Sequence, residues 1–247
     1  MAGSKVYSHP EVDTETPIIS HVVELRKRLM WSALVLAATT VFSLIFARDI
    51  FKLLESRAGN ITLIYTEMTE MVGAYFRVSF VSGLVLALPF IVYQVVMFVR
   101  PGLTLSERKY LYFLLPGILI SFVAGAAFGY FVMIPPMIKF LITFGSDIAT
   151  PQIRARNFVS IMLRLLFAVG ICFELPVVIF FLSRIGVVNA GLLSKYRRHA
   201  IVGAFILATI ITPTFDPLNQ TIVALPLIVL YEVGILLARI GRKRQRA

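Results

Sequence analysis

The 247-residue sequence has few of the residues from which soluble domains and disulfide-linked folds are built. Only 15% of its residues are charged, against about 25% in soluble domains, and 58% are hydrophobic. This composition excludes a soluble globular domain. The 20 Phe and 9 Tyr exclude a disordered chain, because disordered chains are poor in aromatic residues. A single cysteine, Cys172, excludes an intrachain disulfide.

Motifs for catalysis and metal binding are also missing from the sequence. The three histidines, His9, His21 and His199, are scattered and form no zinc-binding helix motif. A phosphate-binding loop, a nucleophile elbow and paired intramembrane aspartates are absent as well. Three histidines and one cysteine are too few for the usual metal sites. We therefore expect neither an enzyme nor a protein that binds a metal or cofactor.

Long apolar runs are abundant, and they predict an all-α membrane protein that forms a single integral membrane domain over 1–247. A hydrocarbon core about 30 Å thick needs about 20 helical residues. Strands of a membrane barrel would instead alternate apolar and polar residues. The shortest run, 200–215, would reach only about 24 Å as a helix, so it needs a thinner bilayer or the entry of water. The six predicted transmembrane helices are 29–47, 78–99, 110–138, 165–183, 200–215 and 217–238.

The net charge of +11 raises nucleic acid as a partner until the positions of the cations are considered. Six spans place both termini on one side of the membrane, and that side holds most of the 24 lysines and arginines. Cytoplasmic loops carry this excess of positive charge. We therefore expect both termini in the cytoplasm, and we interpret the basic tail from Arg239 as a topology anchor rather than a nucleic-acid site.

Prolines and glycines in the apolar runs predict the shape of the bundle. A proline kinks a helix and frees a backbone carbonyl, so a proline-kinked, concave bundle is expected. Gly125 and Gly129 form a G-x-x-x-G pattern, which indicates close packing between helices. The prolines in or at the edges of spans are Pro89, Pro116, Pro135, Pro136, Pro176, Pro213 and Pro226.

Three polar residues, Gln94, Glu174 and Glu232, lie inside the apolar runs. A charge at the bilayer centre costs about 2.5 to 3.5 kcal/mol on insertion scales. Each side chain could simply hydrogen-bond a neighbouring helix and fix the packing. Alternatively Glu174, the most deeply placed, is protonated or faces a polar cavity. In that case the protein could be a proton-coupled transporter of a small solute, although no internal repeat of the kind found in many such transporters is visible.

Two carboxylates lie beside cations at the predicted cytoplasmic surface, Glu24 before the first span and Glu107 before the third. Glu24 is followed by Arg26, Lys27 and Arg28, and its spacing from Arg28 allows a simple pair within one helix. The alternative is that Glu24 and Glu107 together present carboxylates to an incoming guanidinium. Planar bidentate pairing makes such recognition strong and specific.

Several segments, in order along the chain, match one known family. They are 21–29 (HVVELRKRL), 88–103 (LPFIVYQVVMFVRPGL), 107–109 (ERK), 167–176 (FAVGICFELP), Thr212-Pro213 with Asp216 and Gln220, and 224–232 (ALPLIVLYE). The sequence therefore resembles the TatC family, the multispanning receptor of the twin-arginine protein translocase. The spacing from Thr212-Pro213 to Asp216 is one residue longer than the family pattern, which leaves the role of Asp216 open.

The resemblance implies a receptor in a bacterial or archaeal cytoplasmic membrane that binds the twin-arginine signal peptides of folded precursors. With single-span TatA-type and TatB-type partners it would form a transient passage driven by the proton motive force, as a homo-oligomer within the receptor complex. The resemblance assigns signal-peptide binding to Glu24, Glu107, Arg26, Lys27 and Phe98. It also places Glu174 on the concave side of the bundle, and Thr212 and Gln220 on the surface that contacts partner helices.

Overall fold

The computed structural model describes residues 17–57, 63–102, 105–144, 146–148, 150, 152–212 and 216–243. The α-helices within these ranges are α1 (Pro17–Glu55), α2 (Glu70–Val99), α3 (Leu105–Phe128), α4 (Ile134–Thr143), α5 (Ala155–Cys172), α6 (Leu175–Arg184), α7 (Ala190–Lys195), α8 (Arg197–Ile211) and α9 (Pro217–Lys243). A 3₁₀ turn, Arg100–Gly102, follows α2, and a π-helical segment, Gly129–Met133, joins α3 to α4.

Five helical segments are long and apolar enough to cross a membrane: His21–Glu55, Glu70–Val99, Leu114–Thr143, Ala155–Arg184 and Pro217–Gly241. They overlap five of the six predicted spans, and the all-helical class is confirmed. The remaining predicted span, 200–215, corresponds to α8. That helix has only 15 residues, so it reaches about 22 Å and is shorter than the other five. The sixth crossing stays a prediction.

Two predicted spans differ in detail from the helices of the structure, and proline accounts for both differences. The run 165–183 is not one helix, because α5 ends at Cys172 and α6 begins at Leu175, one residue before Pro176. Proline lacks the N–H that a continuous helix needs. In the run 200–215, α8 ends at Ile211. Thr212 is extended, with φ −83° and ψ 131°, as expected for a residue that precedes a proline.

Other prolines lie inside the long helices, as the sequence predicts. Pro89 lies within α2, Pro116 within α3 and Pro226 within α9. Pro135 and Pro136 follow the π-helical segment directly. Because neither proline can donate a backbone hydrogen bond, we attribute the widened turn to this pair. The concavity of the bundle stays a prediction.

Glycines allow two pairs of helices to approach closely. A Cβ on Gly83 would lie 2.6 Å from the Cα of Thr40, so α1 and α2 are in backbone contact there. A Cβ on Gly125 would lie 2.7 Å from the Cβ of Phe173 and 3.0 Å from the Cα of Gly170. The second contact joins α3 to the end of α5. The interpretation of the G-x-x-x-G pattern as close helix packing is therefore confirmed at Gly125.

Contacts between helix ends define two faces of the bundle. The terminal face holds the start of α1, the end of α2 and the start of α3, and it also holds the ends of α6 and α9. The strand face holds β1 (Leu63–Ile64) paired in parallel with β2 (Ile153–Arg154), a feature that the sequence did not predict. The buried carboxylate of Glu70 stabilises this face by accepting hydrogen bonds from the backbone N–H groups of Thr66 (3.0 Å) and Arg156 (3.4 Å).

Candidate functional site

A polar cluster at the terminal face joins α1 to α2 and contains two of the predicted recognition residues, Glu24 and Phe98, together with Gln94. We call it the α1–α2 cluster; its members are His21, Glu24, Arg28, Gln94 and Phe98. The guanidinium of Arg28 lies at its centre. Nε of Arg28 donates to Oε1 of Glu24 at 3.0 Å, and Nη1 donates to Oε1 of Gln94 at 3.2 Å. The pair within one helix is therefore present, and the same guanidinium also binds α2.

An imidazole that the sequence reasoning left without a role completes the cluster. The ring of His21 stacks on the ring of Phe98, with centroids 4.2 Å apart and planes 17° apart. Its Nδ1 lies 3.7 Å from Oε2 of Glu24. The three-residue spacing between His21 and Glu24 places both on one face of α1, and this spacing is the signal that could have identified the histidine.

Only one carboxylate oxygen of Glu24, Oε1, accepts hydrogen bonds from neighbouring side chains that the structure describes. Both contacts from Arg28 go to Oε1, while Oε2 lies beyond hydrogen-bond distance of His21. The Glu24 side chain is 37% exposed, so its carboxylate is partly accessible from outside the bundle. Arg26 and Lys27 are exposed next to it on α1. A ligand with a planar cation could therefore reach the open oxygen without dismantling the cluster.

The second predicted carboxylate, Glu107, belongs to the first turn of α3, which packs against α2. Its side chain lies outside the part of the chain that the structure describes. The short connection through the 3₁₀ turn brings the start of α3 to the terminal face, close to the end of α2. The participation of Glu107 in the site stays a prediction.

Two of the three predicted intramembrane polar residues bind neighbouring helices, and the third, Glu174, does not do so within the part of the chain that the structure describes. Gln94 is bound by Arg28, and Oε2 of Glu232 accepts a hydrogen bond from Arg197 at 2.9 Å, so both side chains fix the packing of neighbouring helices. Glu174 lies at the break between α5 and α6. Its two carboxyl oxygens are buried and have no hydrogen-bond partner among the described residues. A buried polar group without a partner requires an explanation, and in a membrane protein the default explanation is function.

The predicted partner surface surrounds the start of α9. The Thr212 side chain is only 4% exposed, and its hydroxyl donates to the carbonyl of Ala208 at 2.8 Å. Gln220 is half-buried one turn into α9. Asp216, whose role the sequence left open, caps α9: its carboxylate accepts from the backbone N–H of Asn219 at 2.7 Å and from the Asn219 side-chain amide at 3.0 Å. Contact with a partner helix stays a prediction.

These features define a class: a multispanning α-helical membrane protein with a polar cluster at one face. The family model for the Sec-independent protein translocase protein TatC matches residues 20–226. The chain belongs to the TatC family. Members of this family are components of a protein translocase in the Tat pathway, and the family is one of transport rather than of catalysis.

Individual relatives are similar over most of their length. The Sec-independent protein translocase protein TatC of Deinococcus radiodurans is 36% identical over 241 residues, covering 94% of this chain and 89% of that protein. The TatC protein of Helicobacter pylori strain J99 is 38% identical over 222 residues, covering 89% of this chain and 87% of that protein. A crystal structure of the twin arginine translocase receptor TatC is 33% identical, with a TM-score of 0.81, and the match covers 90% of this chain and 99% of that one.

Proposed function

We propose that this protein is the core receptor of a twin-arginine translocation system. It binds the signal peptides of folded precursor proteins at the terminal face, which lies in the cytoplasm together with both chain ends. Six crossings, with α8 as the short one, give this arrangement. The observation that carries the proposal is the open Oε2 of Glu24, which is held in place by Arg28 and accessible to a second guanidinium.

Recognition of two arginines requires two acceptors. Glu24 provides one at the start of α1, and Glu107 provides the other from the first turn of α3. Arginine is favoured over lysine because its planar guanidinium pairs with a carboxylate through two parallel hydrogen bonds, whereas an ammonium is a point charge. The ring of Phe98, already stacked on His21, gives the apolar part of the peptide a surface beside the carboxylate. Arg26 and Lys27 keep the surrounding surface positive and so disfavour the binding of unpaired cations.

Assembly with partner helices is proposed at the start of α9. TatA-type and TatB-type single-span proteins bind near Thr212 and Gln220, and several copies of the receptor associate in the complex. A groove of about 690 Å³ beside this region supports the idea. It is apolar, and its walls come from the π-helical segment, the start of α4 and the first part of α9. The proton motive force then drives passage of the precursor.

Co-purification with a precursor tests the signal-peptide site. The wild-type protein should retain a precursor with an Arg-Arg signal and release one with Lys-Lys. Glu24→Gln should lower retention about tenfold, because a charge-assisted hydrogen bond is lost, and the double variant with Glu107→Gln should lower it further. Glu67→Gln removes an exposed carboxylate near the strand face and serves as the matched control. Equal binding of the two signals, or unchanged binding by the double variant, would overturn the proposal.

A second function, proton-coupled transport of a small solute, is favoured by one observation, the unpartnered buried carboxyl of Glu174. The protein alone, reconstituted in liposomes, would then take up a solute when a proton gradient is applied. Loss of that uptake in Glu174→Gln, with signal-peptide binding intact, would support this alternative. Absence of solute-dependent proton flux would leave the receptor as the function.

A further inference from the structure

A second site lies towards the opposite end of α1 from the α1–α2 cluster. An apolar groove of about 700 Å³ runs between α1, α2, α3 and α5 towards the strand face. Large side chains along its rim, such as Phe46, Leu86 and Val123, are exposed by 45%, 51% and 64%. The groove therefore opens sideways, to the hydrocarbon of the bilayer, rather than into the protein interior.

The length of the groove limits what can fill it. Its wall on α1 extends from Phe42 to Leu54, which corresponds to about 18 Å of helix. One leaflet of the hydrocarbon core is about 15 Å deep, half of the whole core of about 30 Å. A spanning helix of a partner, or of a second copy of this chain, needs a surface that crosses both leaflets. A lipid acyl chain needs only one leaflet, and the groove matches that depth.

A cation is fixed at the mouth of the groove. The guanidinium of Arg57 lies over the rings of Tyr130 and Phe131, with its Cζ 4.6 Å and 4.8 Å from the two centroids. The Tyr130 hydroxyl donates to the carbonyl of Leu53 at 2.9 Å and lies 3.2 Å from Oγ of Ser56. The aromatic rings that hold the cation are therefore themselves tied to the end of α1.

Stacking leaves the hydrogen-bonding edge of Arg57 available. A guanidinium that rests on an aromatic face still presents its N–H groups in its own plane. Among the residues that the structure describes, this guanidinium makes no hydrogen bond or ion pair. At and just after the end of α1, the two cations Lys52 and Arg57 outnumber the single acid Glu55, so the local field favours an anion.

We propose that this groove binds a phospholipid of the leaflet at the strand face, with its phosphate on Arg57 and one acyl chain along the apolar wall. An anionic phospholipid, such as phosphatidylglycerol, binds more tightly than the zwitterionic phospholipid phosphatidylcholine. The proposal requires only that the helices span a membrane, and it does not depend on signal-peptide recognition. The bound lipid would fill the space between α1 and α3 and link the two helices.

Native mass spectrometry of the delipidated full-length protein, titrated with phosphatidylglycerol or phosphatidylcholine, tests the site. Arg57→Gln should weaken phosphatidylglycerol binding about fivefold, the contribution of one cation near a lipid surface, and change phosphatidylcholine binding little. Val123→Trp places a bulky side chain at the exposed rim and should weaken both lipids. Arg48→Gln, an exposed cation near the same end of α1, should behave as wild type.

Two results would overturn the proposal. The first is equal phosphatidylglycerol binding by the wild-type, Arg57→Gln and Arg48→Gln proteins. The second comes from a photocrosslinker placed at position 123 in native membranes. Crosslinking to a polypeptide or to a second copy of the chain, instead of to lipid, would overturn the proposal. A melting curve for each variant tests whether that variant is folded. Because Val123 is exposed, its replacement should leave the protein folded, so a loss of lipid binding can be attributed to the blocked groove.

Discussion

Replacement of Glu174 by leucine should make the protein more stable and less active. Both carboxyl oxygens are buried without a hydrogen-bond partner among the described residues, so the folded state bears their full cost of desolvation. An unsatisfied buried polar group costs about 1 to 3 kcal/mol. The side chain does not cap α6, so no helix cap is lost with it. We expect the free energy of unfolding of Glu174→Leu to rise by about 1 to 3 kcal/mol.

The assay compares unfolding in detergent with export of a folded twin-arginine precursor by the same variants. Glu232→Leu is the matched control, because it also removes an intramembrane carboxylate but breaks the ion pair with Arg197. Both partners of that pair are more than 40% exposed, so the control should lose only about 0 to 1 kcal/mol. If Glu174→Leu is instead less stable than the wild type, the carboxyl has a partner in the membrane, and the claim that it is buried without a hydrogen bond is refuted. If it is more stable and exports normally, Glu174 has no role in transport.

Two further predictions concern the packing and capping of the helices. Gly125→Val should destabilise the protein by about 1 to 3 kcal/mol, because its side chain would collide with Phe173. Gly73→Val is the control and should not destabilise the protein in this way, since no neighbouring element that the structure describes lies within 4 Å of the added Cβ. The melting temperatures of the two variants test this difference. Asp216→Ala should cost about 1 kcal/mol, since it removes the cap of α9 and one partner of the buried Asn219 side chain. Asp216→Asn, which can still cap, should retain most of the stability, and equal loss in both variants would contradict the capping role.

Five of the six predicted spans correspond to long apolar helical segments, because a span depends on a property summed over many residues. A run of about 20 apolar residues identifies a membrane helix whatever its neighbours are. The positions at which helices end inside an apolar run depend instead on single residues, which a hydropathy average does not register. Pro176 lies where one apolar run divides into α5 and α6, and in another run α8 ends at Ile211, two residues before Pro213 in the sequence. The sequence contained both prolines, but hydropathy alone gives them no weight.

Contacts between distant segments were the part that the sequence could not provide. Spacing on one helix predicted the pair of Glu24 with Arg28, because i and i+4 are neighbours on any helix. The bond from Arg28 to Gln94 and the stack of His21 on Phe98 depend on the register of α1 against α2. The close approach of Gly83 to Thr40, at least three turns away along both helices, fixes that register. No local pattern contains this information.

The pair of Glu24 with Arg28 and the proposed recognition of arginine are consistent with each other. A carboxylate with no partner would be free to rotate, and a ligand would bear the entropy cost of fixing it. Arg28 removes that cost in advance by holding Oε1, and Gln94 in turn fixes Arg28. The incoming arginine then meets an oriented Oε2. It also meets the positive charge of Arg28, Arg26 and Lys27, so a single cation gains little. In the proposed function, the second acceptor at Glu107 supplies the remaining affinity. Under the proposed function, a requirement for two arginines would follow from the partial neutralisation of the Glu24 carboxylate by Arg28.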